Sequence, residues 1–244
     1  MENNLPDDFY FSQHALKLFE QCPLKFRYRY VDGLYRFREL EQSVEQKKLL
    51  ERGKKFHLLA RRYYERGYVQ KEGLGDHRLK KWFKRLRRFL PYQEGKLFFP
   101  EHELRINLPR VRLLAKYDLV YWGPDSDKLV LYDWKTNKKP LDRNKLRDDL
   151  QTVVYLLVMA RAVNEYFNLD RKFLPEDIKL IYWNPRFAQD SVSLNYSKER
   201  FAKDKKRIFT LVERIKGLSY EDFARYAKKE NCRFCQFVFL CQDS

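Results

Sequence analysis

Two aspartates and a lysine are the residues of this chain whose types and spacing could do chemistry. Asp118 lies in one apolar segment, and Asp133 and Lys135 lie in the next one as Asp-Trp-Lys. Carboxylate oxygens suit hard divalent cations such as Mg²⁺, and a lysine can serve a nucleophile beside such a metal. The trio therefore predicts a metal-dependent site. The alternative is the polar face of an ordinary hairpin, on which the lysine only balances two acids.

A predicted β-hairpin brings the three residues together. Two aromatic and β-branched runs flank a turn-forming Gly-Pro-Asp-Ser-Asp segment, which is typical of hairpins. With the turn centred between residues 125 and 126, antiparallel register puts Asp118 directly opposite Asp133. Strand alternation then puts Lys135 on the same face as Asp133. We expect the three side chains at one spot.

Two features of the predicted helices could contribute to such a site. Gln151 and Tyr155 are i, i+4 neighbours on one helix face, and His57 lies in a Gly-Lys-Lys-Phe-His segment. Taken alone, the pair could be a polar helix edge and His57 a surface or core histidine. A third helix, 77–90, surrounds an apolar stripe with basic residues: Lys80, Lys81, Lys84, Arg85, Arg87 and Arg88. We interpret it as binding phosphates rather than a membrane or a partner groove.

Composition favours a folded protein with a polyanionic partner. The chain has 244 residues and 44% hydrophobic content, enough for a sizeable core. Its 51 Lys and Arg against 34 Asp and Glu give a net charge of +17, which points to nucleic acid, with an anionic membrane as the alternative. No run reaches the length of a membrane span, and the N-terminus has no apolar signal core. We expect a cytoplasmic protein with no membrane partner.

The order of predicted elements favours an α/β fold with a mixed sheet. Helices are expected after an N-cap at Ser12, with a break at Pro23, and over 43–66, 77–90, 142–163 and 198–216, with a short one after Ser219. Strands are expected over 100–109, in the hairpin, and over 177–185 and 189–197. We expect one domain over residues 1–244: a helical segment at about 43–95, a catalytic core at about 97–197, and C-terminal helices with a cysteine motif at about 198–244.

The four cysteines lie near the two ends of the chain. Cys232, Cys235 and Cys241 form C-x2-C-x5-C, and Cys22 stands alone. Three clustered thiolates and a distant fourth can hold an iron-sulfur cluster, whereas structural zinc sites usually pair two short knuckles. We interpret the four as ligands of one cluster. The alternatives are zinc at the same thiolates, or an unrelated buried thiol at Cys22.

Taken in order, these motifs resemble the RecB-type branch of the PD-(D/E)XK nuclease superfamily, in particular its iron-sulfur members, the AddB recombination nuclease and the CRISPR-associated exonucleases. The resemblance covers nearly the whole chain, and it rests on the order and completeness of the motifs. The matching segments are Ser12 with Cys-Pro-Leu-Lys-Phe-Arg-Tyr-Arg-Tyr, His57, Asp118, Asp133-Trp134-Lys135, Gln151-x-x-x-Tyr155 and the cysteines. Ala115 replaces a glycine usual in the family. The family also has a glutamate on the strand before Asp118, which corresponds here to Glu101 or Glu103, and we prefer Glu103.

The resemblance implies a restriction-endonuclease-like fold and a phosphodiesterase dependent on Mg²⁺ or Mn²⁺. His57, Asp118, Asp133 and the Trp134 carbonyl would hold the metal, and Lys135 would orient the attacking water and stabilise developing charge. The remaining carried-over site residues are Glu103, Gln151 and Tyr155, of which the last two would contact the DNA backbone or steady Lys135.

The same resemblance implies a deoxyribonuclease, expected to be an exonuclease acting on single-stranded DNA or on DNA with free ends. Repair, recombination and CRISPR-type DNA processing are the expected settings. The chain has no G-x-x-x-x-G-K-[ST] motif, so any helicase would be a separate protein. A catalytically inactive nucleic-acid-binding or scaffold protein on the same fold is the alternative, which the complete residue set disfavours. A membrane protein anchored by helix 77–90 would leave the paired aspartates unexplained.

Overall fold

A mixed sheet of six strands carries helices on both faces, which confirms the expected α/β class. The structure is a computed structural model that describes residues 5–34, 43–68, 75–123, 126–169, 171–228, 230, 232 and 235–241. Among these residues, no helix is both long and apolar enough to cross a membrane.

The chain begins with a short strand and two helices: β1 (Phe11–Ser12), α1 (Gln13–Gln21) and α2 (Pro23–Tyr30). The Ser12 hydroxyl accepts a hydrogen bond from the Ala15 amide at 3.2 Å, so Ser12 caps α1 as predicted. Cys22 is extended between the two helices, and Pro23 is the first residue of α2. The expected break therefore occurs here, since proline is tolerated at a helix start but not in its interior.

Two longer helices cover one face of the sheet: α3 (Val44–Arg66) and α4 (His77–Phe89). Their bounds agree with the sequence prediction to within one residue. Ser43 and Gln46 form a capping box at the start of α3, and Asp76 caps α4 by accepting from two backbone amides. Phe56 of α3 and Trp82 of α4 pack against Trp183 of the sheet.

The remaining strands are β2 (Leu97–Leu108), β3 (Val111–Trp122), β4 (Leu129–Trp134), β5 (Ile178–Trp183) and β6 (Ser191–Asn195). β3 pairs antiparallel with β2 and β4 and parallel with β1, while β5 pairs parallel with β4 and antiparallel with β6. Leu119 pairs with Tyr132, which is the register predicted for the hairpin. Its turn residues 124 and 125 lie outside the described residues. β2 begins three residues before the prediction, because Leu97 still pairs with Trp122.

In the described part of the chain, four α-helices follow β4: α5 (Arg143–Asp148), α6 (Leu150–Tyr166), α7 (Lys198–Lys216) and α8 (Asp222–Arg225). α6 and α7 pack on the face opposite α3 and α4. The prediction of one helix over 142–163 is wrong, because the chain is extended at Asp149. The Asp149 carboxylate accepts from the Gln151 amide at 2.9 Å, and such a side chain favours an N-cap over a helix interior.

Candidate active site

Three acidic residues lie at one level across three neighbouring strands. The β2–β3 register puts Glu101 level with Asp118, and the β3–β4 register puts Asp118 level with Asp133. Pairing between strands therefore brings together carboxylates that are far apart in sequence. Their side chains do not all take the same direction, because the strands are irregular at this level.

Side chains of β3 alternate between the two faces of the sheet, and this alternation is interrupted at Asp118. Tyr117 and Val120 both belong to the core beneath α6, whereas Leu119 packs with α3 and α4. In a regular strand, residues 117 and 120 would lie on opposite faces. Glu101, the neighbour of Asp118 on β2, has a φ of +50°, which is uncommon for a residue other than glycine. Departures of this kind re-aim side chains and are frequent beside active sites.

One half of the site faces α3. His57 Nδ1 lies 3.0 Å from Asp118 Oδ1, and Asp118 Oδ2 accepts from the Trp134 backbone amide at 2.6 Å. Ligand atoms of His57, Glu101 and Asp118 lie within 4.8 Å of one another, and no other such group occurs in the described part of the chain. An imidazole nitrogen with carboxylate oxygens is a donor set that suits Mn²⁺ or Mg²⁺.

Glu101 takes the place in this group that the sequence analysis gave to Glu103. Glu103 is level with Lys116, about 7 Å further along the strand than the level of Asp118. Its carboxylate pairs instead with the Arg105 guanidinium at 2.9 Å. We therefore correct the preference for Glu103, because strand register and the unusual backbone at Glu101 bring the earlier glutamate to His57.

The other half of the site faces α6 and contains four of the expected residues. Lys135 Nζ lies 2.6 Å from Asp133 Oδ1 and donates to Gln151 Oε1 at 2.7 Å. Gln151 Nε2 donates to Asp133 Oδ2 at 2.7 Å and to the Tyr155 hydroxyl at 3.1 Å. These residues form one connected network. The two aspartates are thus level in the sheet, but their partners come from helices on opposite faces.

Burial and neighbouring charges shift two pKa values in the site. Burial raises the pKa of the Asp133 carboxyl to about 6, against the opposing effect of Lys135, and Asp118 adds to the increase. Burial lowers the pKa of His57, but the Asp118, Asp133 and Glu101 carboxylates outweigh it, so the pKa is raised. Both groups bind protons more tightly than they ordinarily do, and a bound cation would favour their deprotonated forms.

The α3 half of the site opens into a cleft of about 640 Å³, within the usual range for ligand pockets. His57, Glu101 and Asp118 line it together with Lys54, Arg61 and Lys138. On its floor α3 approaches the segment after β4 closely, since a Cβ on Gly53 would lie 2.8 Å from Thr136 Oγ1. The cleft therefore combines the donor set with cations that could bind a polyanion.

Two residues that support the site were missed by the sequence analysis. The buried Asn184 side chain donates to the Asn137 carbonyl at 3.1 Å and to its Oδ1 at 2.8 Å. Arg186 Nε donates to the Thr136 carbonyl at 3.1 Å. These three bonds hold the segment after Lys135. The only sequence signal was an Asn-Pro turn after a strand, which does not indicate such contacts.

The cysteines are brought near one another without forming a ligand group. Cys22 is buried in a small cluster with Phe237, against which Cys235 and Cys241 pack. Burial raises the pKa of the Cys241 thiol, and the other three cysteines add to the increase. Among the described residues, no three sulfurs lie within 4.8 Å of one another. The iron-sulfur assignment therefore stays a prediction.

Comparisons with known proteins agree with this fold. A family model described as the PD-(D/E)XK nuclease superfamily matches residues 10–106 and 73–242. The crystal structure of a candidate exonuclease from Eubacterium rectale aligns with a TM-score of 0.55 and 14% identity, over 96% of this chain and 88% of that chain. The crystal structure of SSO0001 aligns over 97% of this chain and 87% of that chain at 17% identity, with a TM-score of 0.40. No curated protein matches the chain.

The family match spans both halves of the site, from β1 to the C-terminal cysteines. Nucleases of this superfamily use divalent metals, and His57, Glu101 and Asp118 form a donor set of the required chemistry. The mixed sheet flanked by helices is the fold expected for them. This chain belongs to the PD-(D/E)XK nuclease superfamily.

Proposed function

We propose that this protein is a divalent-metal-dependent deoxyribonuclease that acts as an exonuclease on single-stranded DNA or DNA ends. One observation carries the proposal: the His57, Glu101 and Asp118 donor set adjoins the ion pair of buried Asp133 and half-buried Lys135 at one level of the sheet. The family match supports hydrolysis of phosphodiester bonds. The similarity to a candidate exonuclease from Eubacterium rectale supports the exonuclease mode.

In this proposal His57, Glu101 and Asp118 hold Mg²⁺ or Mn²⁺, with the Asp133 carboxylate and the Trp134 carbonyl as further ligands. A bound metal would polarise the scissile phosphate and lower the pKa of a water. The Trp134 amide holds one oxygen of Asp118 at 2.6 Å. This contact fixes the carboxylate before the metal arrives, so less conformational entropy is lost on binding.

Lys135 provides the positive charge of the reaction. Its ammonium is held between the Asp133 carboxylate and the Gln151 amide oxygen, where it would stabilise negative charge that develops on the phosphoryl group and orient the attacking water. Gln151 also bonds Asp133 and Tyr155. We assign Gln151 and Tyr155 as positioning residues that keep Lys135 and Asp133 in place.

The biological setting extends the same proposal. The whole chain, residues 1–244, would act as one nuclease domain in DNA repair, recombination or CRISPR-type processing in the cytoplasm. Its net charge of +17 supports a polyanionic substrate. Any helicase that unwinds the DNA would be a separate partner protein.

We also propose an iron-sulfur cluster, of the 4Fe-4S type, at Cys22, Cys232, Cys235 and Cys241, with zinc at the same thiolates as the alternative. The shared hydrophobic cluster of Cys22, Cys235 and Cys241 supports a single site. The cluster would link the break between α1 and α2 to the C-terminal segment, so its contribution would be to stability.

The test is incubation of the purified protein with linear and circular DNA, single- and double-stranded, and with RNA, in Mg²⁺, Mn²⁺ or EDTA. We expect linear DNA to be degraded with either metal and to stay intact in EDTA, while circular DNA is spared by an exonuclease. Asp118→Asn, prepared identically, controls for contaminating nucleases and should be inactive. Binding of DNA without cleavage in either metal would contradict the enzyme and favour the nucleic-acid-binding alternative.

A further inference from the structure

A second groove, of about 600 Å³, lies between α4 and the turn that follows β5. Arg85 and Arg88 of α4 line one wall, and Arg186, Phe187 and Asp190 line the other. None of these residues lines the cleft that contains the proposed metal ligands. The groove is therefore a separate surface of the protein, and its lining includes three guanidinium groups.

Three arginines outnumber the single carboxylate of the groove, Asp190. Arg85 Nη1 donates to the carbonyls of Pro185 at 2.6 Å and of Arg186 at 3.3 Å. These carbonyls fix the guanidinium in place but do not cancel its charge. Arg88 is exposed, and neither arginine has a carboxylate partner among the described residues. A fixed and an exposed guanidinium side by side are suited to bind phosphate groups.

Arg186 adds to this excess of positive charge. Its guanidinium lies 4.8 Å from the Trp82 ring centroid, and its Nη2 is buried without a hydrogen-bond partner in the described part of the chain. Burial lowers the pKa of Arg186, and the like charges of Arg52 and Arg78 lower it further. Cations held near one another in this way favour binding of an anion.

The groove also contains an aromatic ring. Phe187 is half-buried and lines the groove, and no described aromatic residue stacks on it, whereas Phe89 stacks on Trp183 at 4.7 Å. Aromatic rings beside basic groups are typical of sites for single-stranded nucleic acid, because every unpaired base can stack on them. In a duplex, both faces of each base are already covered by its neighbouring bases. The combination favours a single strand.

The same turn joins the groove to the catalytic cleft. The turn's Arg186 donates to the Thr136 carbonyl, and the Asn184 side chain donates to Asn137. Thr136 and Asn137 line the cleft and follow Lys135 directly in the chain. One strand of DNA that crosses this turn would therefore contact both the cleft and the groove.

We propose, resting on the proposed nuclease function, that this groove is a second binding site for the single DNA strand whose end is cleaved in the cleft. Arg85 and Arg88 bind its phosphates, and Phe187 stacks on one of its bases. A strand long enough to reach the groove is held at two points, and a shorter strand only at one. Binding and cleavage then depend on strand length, and a single strand is preferred to a duplex.

The test compares the full chain with Arg88→Ala and Phe187→Ala, using labelled single strands of increasing length and a matched duplex. Binding is measured by fluorescence anisotropy in EDTA, and cleavage is measured with Mn²⁺. Arg88→Ala should weaken binding of long strands about threefold or more and reduce the slope of log Kd against log salt by about 0.7. Phe187→Ala should weaken binding of single strands about fivefold or more, because it removes a stacked base, and should affect the duplex less. The shortest strands should respond to neither substitution.

Lys203→Ala is the matched control, because it removes one exposed positive charge from α7, on the opposite face of the sheet. Thermal melting of each variant checks that it is folded. Equal effects of Arg88→Ala on short and long strands, or an effect no larger than that of Lys203→Ala, would overturn the second site and leave the nuclease proposal standing. If the unmodified chain cleaves no DNA, the nuclease proposal fails, and the binding measurements in EDTA still decide whether the groove binds a strand.

Discussion

Hydrogen-bonding capacity determines how the residues beside Lys135 are arranged. The Gln151 amide oxygen accepts from Lys135, while its nitrogen donates to Asp133 and Tyr155. A flipped amide would turn its nitrogen toward the ammonium and its oxygen toward the carboxylate, and both contacts would be repulsive. The orientation of Gln151 is therefore determined by its neighbours, and its bonds to Lys135 and Asp133 in turn hold this ion pair in place.

Replacing Lys135 with Ala or Asp133 with Asn should abolish hydrolysis and leave DNA binding nearly intact. Lys135 is proposed to stabilise the transition state and Asp133 to help hold the metal, so neither contributes much to binding of the DNA ground state. The loss in rate should be on the order of a hundredfold or more. Single-turnover cleavage and binding in EDTA measure the two effects separately. Cleavage by either variant at the rate of the unmodified protein would refute the assignment of these two residues.

The metal-free protein should lose stability as the pH rises. Asp133 has a pKa of about 6 in the folded state, above the value of roughly 3.9 in an unfolded chain. The folded state therefore binds its proton more tightly, and ionisation of Asp133 destabilises the fold between about pH 4 and 6, by roughly 3 kcal/mol. The raised pKa of His57 acts in the same direction, since its contribution is lost above its unfolded value of about 6.5.

Urea denaturation in EDTA from pH 4 to 8 tests this expectation, with Asp133→Asn as the comparison. The free energy of unfolding of the variant should change less with pH, because residue 133 can no longer ionise. Metal affinity should change in the opposite sense and increase over the same range, since the ligands must lose their protons to bind a cation. Identical pH dependence for the two proteins would mean that Asp133 ionises normally.

Among the elements, the site requires close approach between α3 and the segment after β4. Gly53 lies four residues before His57 on α3, and a Cβ there would lie 2.8 Å from Thr136 Oγ1. Gly53→Ala should therefore displace Thr136 or α3 and reduce activity by tenfold or more, since misplacement of about 1 Å can be that costly. The free energy of unfolding should change less than the activity does, because alanine stabilises a helix by about 1 kcal/mol relative to glycine. Adding Thr136→Ala should restore much of the activity, and failure to do so would refute the steric explanation.

The start of α6 positions Gln151 in the first turn of that helix. Asp149 caps it and also pairs with Lys17 at 2.7 Å. Asp149→Ala should lower the free energy of unfolding by about 1 kcal/mol, measured by urea denaturation. Asp149→Asn keeps a capping oxygen and is the matched control, so it should lose less. Equal stability of the two variants would contradict the capping role.

At the scale of the whole molecule, residues 20–28 of the first two helices meet residues 228–241 of the C-terminal segment. The Tyr28 hydroxyl donates to the Leu240 carbonyl at 3.1 Å, and Lys228 Nζ donates to the Glu20 carbonyl at 2.7 Å. Cys22 lies between these contacts in sequence and packs with Cys235 and Cys241. A metal site here would close a loop over almost the entire chain, which restricts the unfolded state.

Anaerobically purified protein should be brown and contain about four irons per chain. Cys22→Ser should lower the iron content and the melting temperature, while the fraction that folds keeps its metal-dependent cleavage. A colourless protein with about one zinc per chain would favour zinc at the same thiolates. Metal-free protein whose stability does not change with Cys22→Ser would show that the four cysteines form no single site.

Local features of this chain could be predicted from sequence because they depend on neighbouring residues. Ser12 caps α1, Pro23 begins α2, and the hairpin register aligns Asp118 with Asp133. A turn between two apolar runs determines which residues lie opposite each other, whatever the rest of the fold does. The sequence by itself therefore determined the α/β class and the level at which both aspartates lie.

Contacts across the fold were decided by the tertiary structure. Glu101 joins His57 because β2 pairs with β3 and its backbone takes a φ of +50° at that residue, which no local pattern indicates. Arg186 bonds Thr136 across fifty residues of chain. Such contacts depend on how β5 lies beside β4 and on the packing of α4 over both, and packing is a property of the assembled core rather than of any segment.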